Sequence, residues 1–302
     1  MPLPIGRQLT VGLLAGVAAV IVGSSWQLVS RHGVTTTLGP LDMVMMRYAV
    51  PALLLSPLYF RTGFIPPTAS VKTLLIIVLG GGLPFGLLVL AGAQWAPAAH
   101  MGLALAGGVP LFTALGAWVL RGETLNGWRL LGLAFIAAGM LVFGLTAFGD
   151  CSGTWRGDVL FVAAAALWAA YSLYFRLSGM TPLQGAAFVN GCSTIILLPI
   201  LAMTGLPKLV SAPWGDVVFQ FVGQGIVAGV LGVVTYTATI ARLGAVAASL
   251  TLAVIPVVTA IGAAWWLGEP VTGTTMVAMA LVIPGVGLAS GALALLGKPG
   301  KP

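Results

Sequence analysis

The side chains in this chain that could do acid–base, nucleophilic or metal chemistry are few: His32 and His100, Cys151 and Cys192, and the acids Asp42, Glu123, Asp150, Asp158, Asp216 and Glu269. No acids stand paired for general acid–base work, no His/Cys cluster has metal-ligand spacing, and no glycine-rich phosphate loop occurs. Hydrolysis, metal chemistry and ATP use therefore have no visible machinery, and the expectation is a protein that is not an enzyme and carries no cofactor. What remains are binding groups: tryptophans, tyrosines, amides and a lone arginine set inside apolar runs.

The elements holding those groups follow from composition. Of 302 residues, 59% are apolar and only 6% charged, with mean hydropathy +1.08. A soluble domain needs roughly 25% charged residues to wet its surface. The chain is therefore an integral membrane protein whose partner is the lipid bilayer. The 42 glycines and 19 prolines suit closely packed membrane helices. The basic excess, 13 against 6, is scattered singly between apolar runs, which argues for topology and against nucleic acid. Spans of about 20 apolar residues are predicted near 9–30, 41–60, 72–95, 98–120, 127–148, 157–177, 182–204, 216–240, 246–267 and 273–296. The fold class expected is all-α with ten transmembrane helices and short connections.

The fourth and ninth spans repeat one another. Val109–Gly127, VPLFTALGAWVLRGETLNG, aligns without a gap on Ile255–Gly273, IPVVTAIGAAWWLGEPVTG, pairing Pro110 with Pro256, Thr113 with Thr259 and Glu123 with Glu269 at an offset of 146. A weaker match at an offset of 142 pairs Trp26 with Trp168, Ser30 with Ser172 and Pro40 with Pro182. The chain thus divides into halves at 1–150 and 151–302, each of five spans. Five is odd, so the second half enters the membrane inverted. With the N-terminus inside, cytoplasmic positions collect Arg7, Arg61, Lys72, Arg121, Arg129, Arg176, Arg242, Lys298 and Lys301, leaving Arg31, Arg47, Arg156 and Lys208 outside. The positive-inside rule then puts both termini in the cytoplasm. Inverted repeats are the architecture of alternating-access transporters.

Two halves that each carry a P...TA.GA....GE helix followed by a glycine-bearing helix resemble the EamA-type branch of the drug/metabolite transporter superfamily. Within it, Gly23–Tyr48, GSSWQLVSRHGVTTTLGPLDMVMMRY, resembles the start of the YddG-type exporters of aromatic and other neutral amino acids. The resemblance implies a multi-pass exporter of the bacterial inner membrane with a central cavity built from both halves. It also implies that the fifth and tenth helices pack outside it. Either a monomer or a homodimer is compatible with that expectation.

Substrate-binding candidates are Ser24, Trp26 and Gln27 in the first span, Tyr48 in the second, and Phe85 beside Pro84 in the third. His100 and Met101 in the fourth, Trp168 and Tyr171 in the sixth, and Gln224 and Tyr236 in the eighth complete the set. Indole faces can stack on an apolar substrate and attract its ammonium; packing is the alternative for each. Pro110 and Pro256, at mid-membrane, each remove a backbone hydrogen bond and are hinge candidates. Arg47, two turns into the second span, is expected to have a structural role, with carbonyls at a neighbouring helix end as partners and a substrate carboxylate as the alternative. Glu123 and Glu269 are read as structural charges before the helix N-termini that follow them, with Asn126 as an N-cap. Trp265 and Trp266 read as interfacial anchors. No acid falls at mid-membrane. Facilitative movement is therefore expected, of amino acids as the resemblance implies, with a proton-coupled exporter of drugs and toxic compounds as the alternative and His32 or His100 its only proton carriers.

Overall fold

A computed structural model describes residues 5–64, 69–123, 125–149 and 153–290, and among these every regular element is helical. Helices satisfy every backbone polar group within the segment, which lipid, offering no hydrogen bonds, demands of a spanning run of about 20 apolar residues. The elements are α1 (Ile5–Thr35), α2 (Pro40–Leu54), α3 (Ser56–Thr62), α4 (Val71–Gly81), α5 (Leu83–Trp95), α6 (Ala98–Arg121), α7 (Gly127–Gly149), α8 (Trp155–Phe175), α9 (Pro182–Thr204), α10 (Pro207–Ser211), α11 (Trp214–Gln220), a π-helical stretch Phe221–Leu231, α12 (Gly232–Gly262), a second π-helical stretch Ala263–Leu267, and α13 (Gly273–Ala289). Among the described residues, eight helical segments are long and apolar enough to cross a membrane. The α2–α3 pair and α13 are shorter.

The helices run back and forth between two faces, which we name for Arg31 and Arg176. Ser70, Thr181 and Thr272 cap the N-termini of α4, α9 and α13 with their hydroxyls, and Asn126 accepts from the Arg129 amide at the start of α7. Gly122 and Gly268, both left-handed, end α6 and the second π stretch, where any Cβ would be strained. Gly244 (φ 87°) folds α12 into two arms without a further loop residue, so one long helix is in fact a hairpin. Around the bundle, α1 packs against α12, α6 against α8, α2 against α9 and α7 against α13. The last contact is backbone-close, because Gly132 and Gly285 face each other's helix where a Cβ would not fit.

Two irregularities matter for the interior. The predicted third span breaks at Gly82 into α4 and α5. The opened turn is satisfied from other helices: the Tyr48 hydroxyl donates to the Gly82 carbonyl at 2.5 Å, and the Leu83 amide donates to Ser193 Oγ at 3.0 Å. The span predicted at 216–240 is π-helical through Gln224, with Gly225 against Val50 and Gly229 against Pro51 of α2. The chain is thus irregular both at Gly82 and through Phe221–Leu231, and π segments of this kind cluster at functional sites.

Candidate functional site

Five aromatic rings form a row through the interior. Trp26 of α1 stacks on Phe85 of α5 (centroids 6.3 Å apart, 29° between planes), and Phe85 meets Trp168 of α8 at 4.8 Å. The row continues down α8 through Tyr171 at 4.9 Å and Phe175 at 5.4 Å towards the Arg176 face. Residues 168, 171 and 175 share one face of α8 by helical spacing, while Pro84 at the start of α5 turns Phe85 between the two tryptophans. Phe85 is buried, but Trp26, Trp168, Tyr171 and Phe175 keep accessible surface. The Arg47 guanidinium lies 5.4 Å from the Trp26 ring and 5.9 Å from that of Tyr48, close enough for cation–π attraction.

Polar side chains fix the Trp26 end. Its indole N–H donates to Gln224 Oε1 at 3.1 Å; the Gln224 amide in turn donates to Ser30 Oγ at 2.9 Å, and Gln220 donates to the Val29 carbonyl at 2.8 Å. Ser30, Gln220 and Gln224 are all buried, and a satisfied buried amide network of this kind holds one rotamer of the ring. On the other side of α1, the Ser24 hydroxyl donates to the Ile255 carbonyl and the Thr259 hydroxyl to Gln27 Oε1 at 2.6 Å. Both partners flank Pro256, which is buried, and Gly102 of α6 passes here so closely that a Cβ would meet Gln27 and the Pro256 backbone. Its repeat mate Pro110 also lies inside a helix, and the hydroxyl of Thr113, the mate of Thr259, is buried without a partner.

The Arg31 face is closed by a three-way contact. Arg31 Nε meets Glu269 Oε1 at 2.5 Å and its Nη1 donates to the Ala93 carbonyl at 2.6 Å, while the Ala98 amide, the first of α6, donates to Glu269 Oε2 at 2.9 Å. The carboxylate thereby sits on a helix N-terminus, where the dipole favours it, and ties α1, the end of α5, the start of α6 and the second π stretch together. His32 stacks on Trp266 (5.0 Å, 28°) with Phe219 edge-on, and His32, Trp266, Arg31 and Glu269 border a surface cavity of about 340 Å³. Among the described residues, no matching ion-pair closure stands at the Arg176 face. Among the described residues α4 packs on α5, α8 and α9, and neither α4 nor α8 packs appreciably on α1 or α12.

Several expectations are corrected by this geometry. Glu269 lies on the N-terminus of α6, not of α13, because Thr272 already caps α13 and the α5–α6 corner presents an unfilled amide beside Arg31. Arg47 hydrogen-bonds no carbonyl at a neighbouring helix end and lies instead against the Trp26 and Tyr48 rings, while Asp42 accepts from the amides of Gly39 and Leu209. Trp265 is 88% exposed, as an interfacial anchor would be, but Trp266 belongs to the closed Arg31 face. Met101 is fully buried in the core and points to packing. His100 leaves the aromatic row and pairs with Asp158 (Nδ1 to Oδ1, 2.9 Å) under the Phe143 ring. Tyr236 of α12 makes none of the row's ring contacts and lies near Arg176, the residue after Phe175 at the foot of the row. Phe175, Ser30, Gln220, Arg31 and Asp158 join the interior network although sequence reasoning did not select them.

A bundle of apolar helices around an aromatic interior, closed at one face by an ion pair, is the build of a multi-pass membrane protein. The sequence matches the EamA-like transporter family twice, at residues 10–145 and 155–291. The chain belongs to the EamA-like transporter family. It is 26% identical over 253 residues to the "Uncharacterized transporter YyaM" of Bacillus subtilis (strain 168), spanning 80% of this chain and 81% of that protein. A solved crystal structure is similar over 95% of this chain and 99% of its own (TM-score 0.58, 20% identity), a likeness of fold alone. The protein is thus a membrane transporter of small molecules.

Proposed function

We propose that the protein is a bacterial inner-membrane exporter of small, largely neutral metabolites, foremost amino acids including aromatic ones. It works as a facilitative alternating-access carrier. Its ten spans form two inverted halves, 1–150 and 151–302, with both termini cytoplasmic and the Arg31 face outward. The observation that carries this reading is the one-sided closure. The Arg31 face is latched by Arg31, Glu269 and the α6 N-terminus, while the equivalent helices at the Arg176 face stand apart. That is the asymmetry expected of an inverted-repeat carrier caught open to one side. The double family match supports the two-half division, and the YddG-like opening segment with the aromatic row supports an aromatic-tolerant substrate. Ser24, Gln27, Gln224 and His100 support the site through their helix contacts; Trp26, Phe85, Trp168, Tyr171 and Tyr48 shape it directly.

The test is uptake of a panel of labelled amino acids into liposomes holding purified protein, with no imposed proton gradient. Uptake down the solute gradient supports the reading; uptake that appears only with a proton gradient overturns the facilitative part. The second reading, a proton-coupled exporter of drugs, is favoured by one observation: in the partly buried His100–Asp158 pair, Asp158 Oδ2 is buried without a hydrogen bond. Flux of cationic dyes that needs a proton gradient and is lost in Asp158→Asn would establish it instead.

A further inference from the structure

Among the described side chains, Arg31 and Arg47 are the cations that are not exposed, and their situations are opposite. Arg31 has a carboxylate and a carbonyl within hydrogen-bond distance. Arg47 has neither a hydrogen bond nor an ion pair; its neighbours are the faces of Trp26 and Tyr48. A guanidinium about 10 Å into a membrane helix, at 1.5 Å per residue from Pro40, is costly unless an anion completes it. The described acids are engaged elsewhere or lie at helix ends: Asp42 at the α2 start, Asp158 on His100, Glu269 on Arg31, Asp216 in the first turn of α11, Glu123 in the α6–α7 turn. Among the described residues, the protein supplies a fork of donors here and no counter-charge.

We propose that Arg47 is the anchor for a substrate carboxylate, and that the substrates are monocarboxylates with an apolar, preferentially aromatic body lying along Trp26, Phe85 and Trp168. Guanidinium geometry matches a carboxylate through two parallel N–H···O bonds. A single cation at this place balances one negative charge, not a phosphate dianion. The adjoining rings offer π-faces and no acid, so an ammonium group is tolerated on a ring face and is not required. Tyr48 is spent on the broken turn at Gly82 and holds Arg47 against the row without competing for the anion. The inference rests on the carrier reading above and narrows it from neutral metabolites to those with a carboxylate.

Three compounds of one shape separate the groups: L-phenylalanine has both charges, 3-phenylpropionate only the carboxylate, phenethylamine only the ammonium. Binding of each to detergent-purified protein is measured by calorimetry, with Arg47→Gln and Arg47→Lys alongside and melting temperature as the folding control. The expected result is binding of the first two, at least tenfold weaker binding of phenethylamine, a tenfold or greater loss of 3-phenylpropionate in Arg47→Gln, and partial recovery in Arg47→Lys. Phenethylamine binding as tightly as 3-phenylpropionate would overturn the inference, even if neither variant folds. So would unchanged 3-phenylpropionate affinity in a folded Arg47→Gln. In both cases ligand binding leaves the carrier reading standing. If none of the three binds while liposome flux of another solute is measurable, the carboxylate anchor is wrong and carriage is not; absence of flux for every solute removes the carrier reading itself.

Discussion

At the scale of residues, the aromatic row and the Arg31 latch carry separable duties. Trp168 stands at the centre of the row, touching Phe85 and Tyr171, whereas Trp265 projects outward at 88% exposure. Trp168→Ala should lower amino-acid flux roughly tenfold, about the 1.4 kcal/mol of one ring–substrate contact, and Trp265→Ala should change it little at equal protein per liposome. The reverse order would remove the row from the substrate path. The latch makes a different prediction. Glu269→Gln keeps the shape but loses the charge that holds Arg31 and the α6 N-terminus together, so the Arg31 face should open more often. In a background without native cysteines, Phe85→Cys, buried in this structure, should react several-fold faster with an impermeant maleimide added at that face once Glu269→Gln is introduced. Equal rates with and without Glu269→Gln would show that the ion pair does not gate access.

At the scale of elements, the break between α4 and α5 is the feature whose loss should hurt most. A methyl at Gly82 would run into the Val78 carbonyl and the Ser193 hydroxyl, neither of which can move without undoing the turn that Tyr48 and Ser193 complete. Gly82→Ala is expected to cost about 1–3 kcal/mol of stability, read as a melting temperature several degrees lower in detergent; an unchanged melting temperature would mean the turn relaxes freely. This break also marks where the sequence ceased to be legible. The helix positions follow from apolar run length and from caps such as Thr181 and Thr272, because lipid imposes those lengths on any sequence. Within the runs, most positions are apolar or small and the few polar ones are too sparse to set a period, so periodicity is mute about which face is inside. The run Gly80–Pro84, GGGLP, carries a signal for the interruption, but apolar run length alone predicts one continuous span over 72–95. The π-helical course of Phe221–Leu231 has no sequence mark that distinguishes it from the α-helix around it.

At the scale of the whole molecule, the repeat was legible and its asymmetry was not. Gap-free matches at offsets of 146 and 142 divide the chain from sequence alone, but they also pair Arg31 with Leu173 and Ala98 with Gly244. The ion-pair latch therefore cannot be rebuilt at the Arg176 face. That bond joins residues 238 apart in the chain, a separation across which neither spacing nor helical period speaks. Arg47, too, was legible as an anomaly and not as a role: a lone cation shows in the sequence, whereas its lack of a partner shows only once every neighbouring helix is in place. The orientation is checkable directly. Single cysteines placed at Thr36 and at Leu177, at opposite faces, should react with impermeant reagent from the periplasmic side for the first and only after permeabilisation for the second; the opposite pattern would turn the molecule over.

The account stands on a solute-loaded interior exposed alternately to the two faces, and solute counterflow tests that most directly. Liposomes loaded with unlabelled L-phenylalanine and diluted into trace labelled L-phenylalanine, without proton gradient or ATP, should show a transient accumulation of label above its outside concentration, absent in protein-free liposomes and strongly reduced in Trp168→Ala. Label that merely equilibrates at the same rate whether or not the liposomes are loaded would contradict alternating access, and no protein-dependent movement of label would contradict the amino-acid reading.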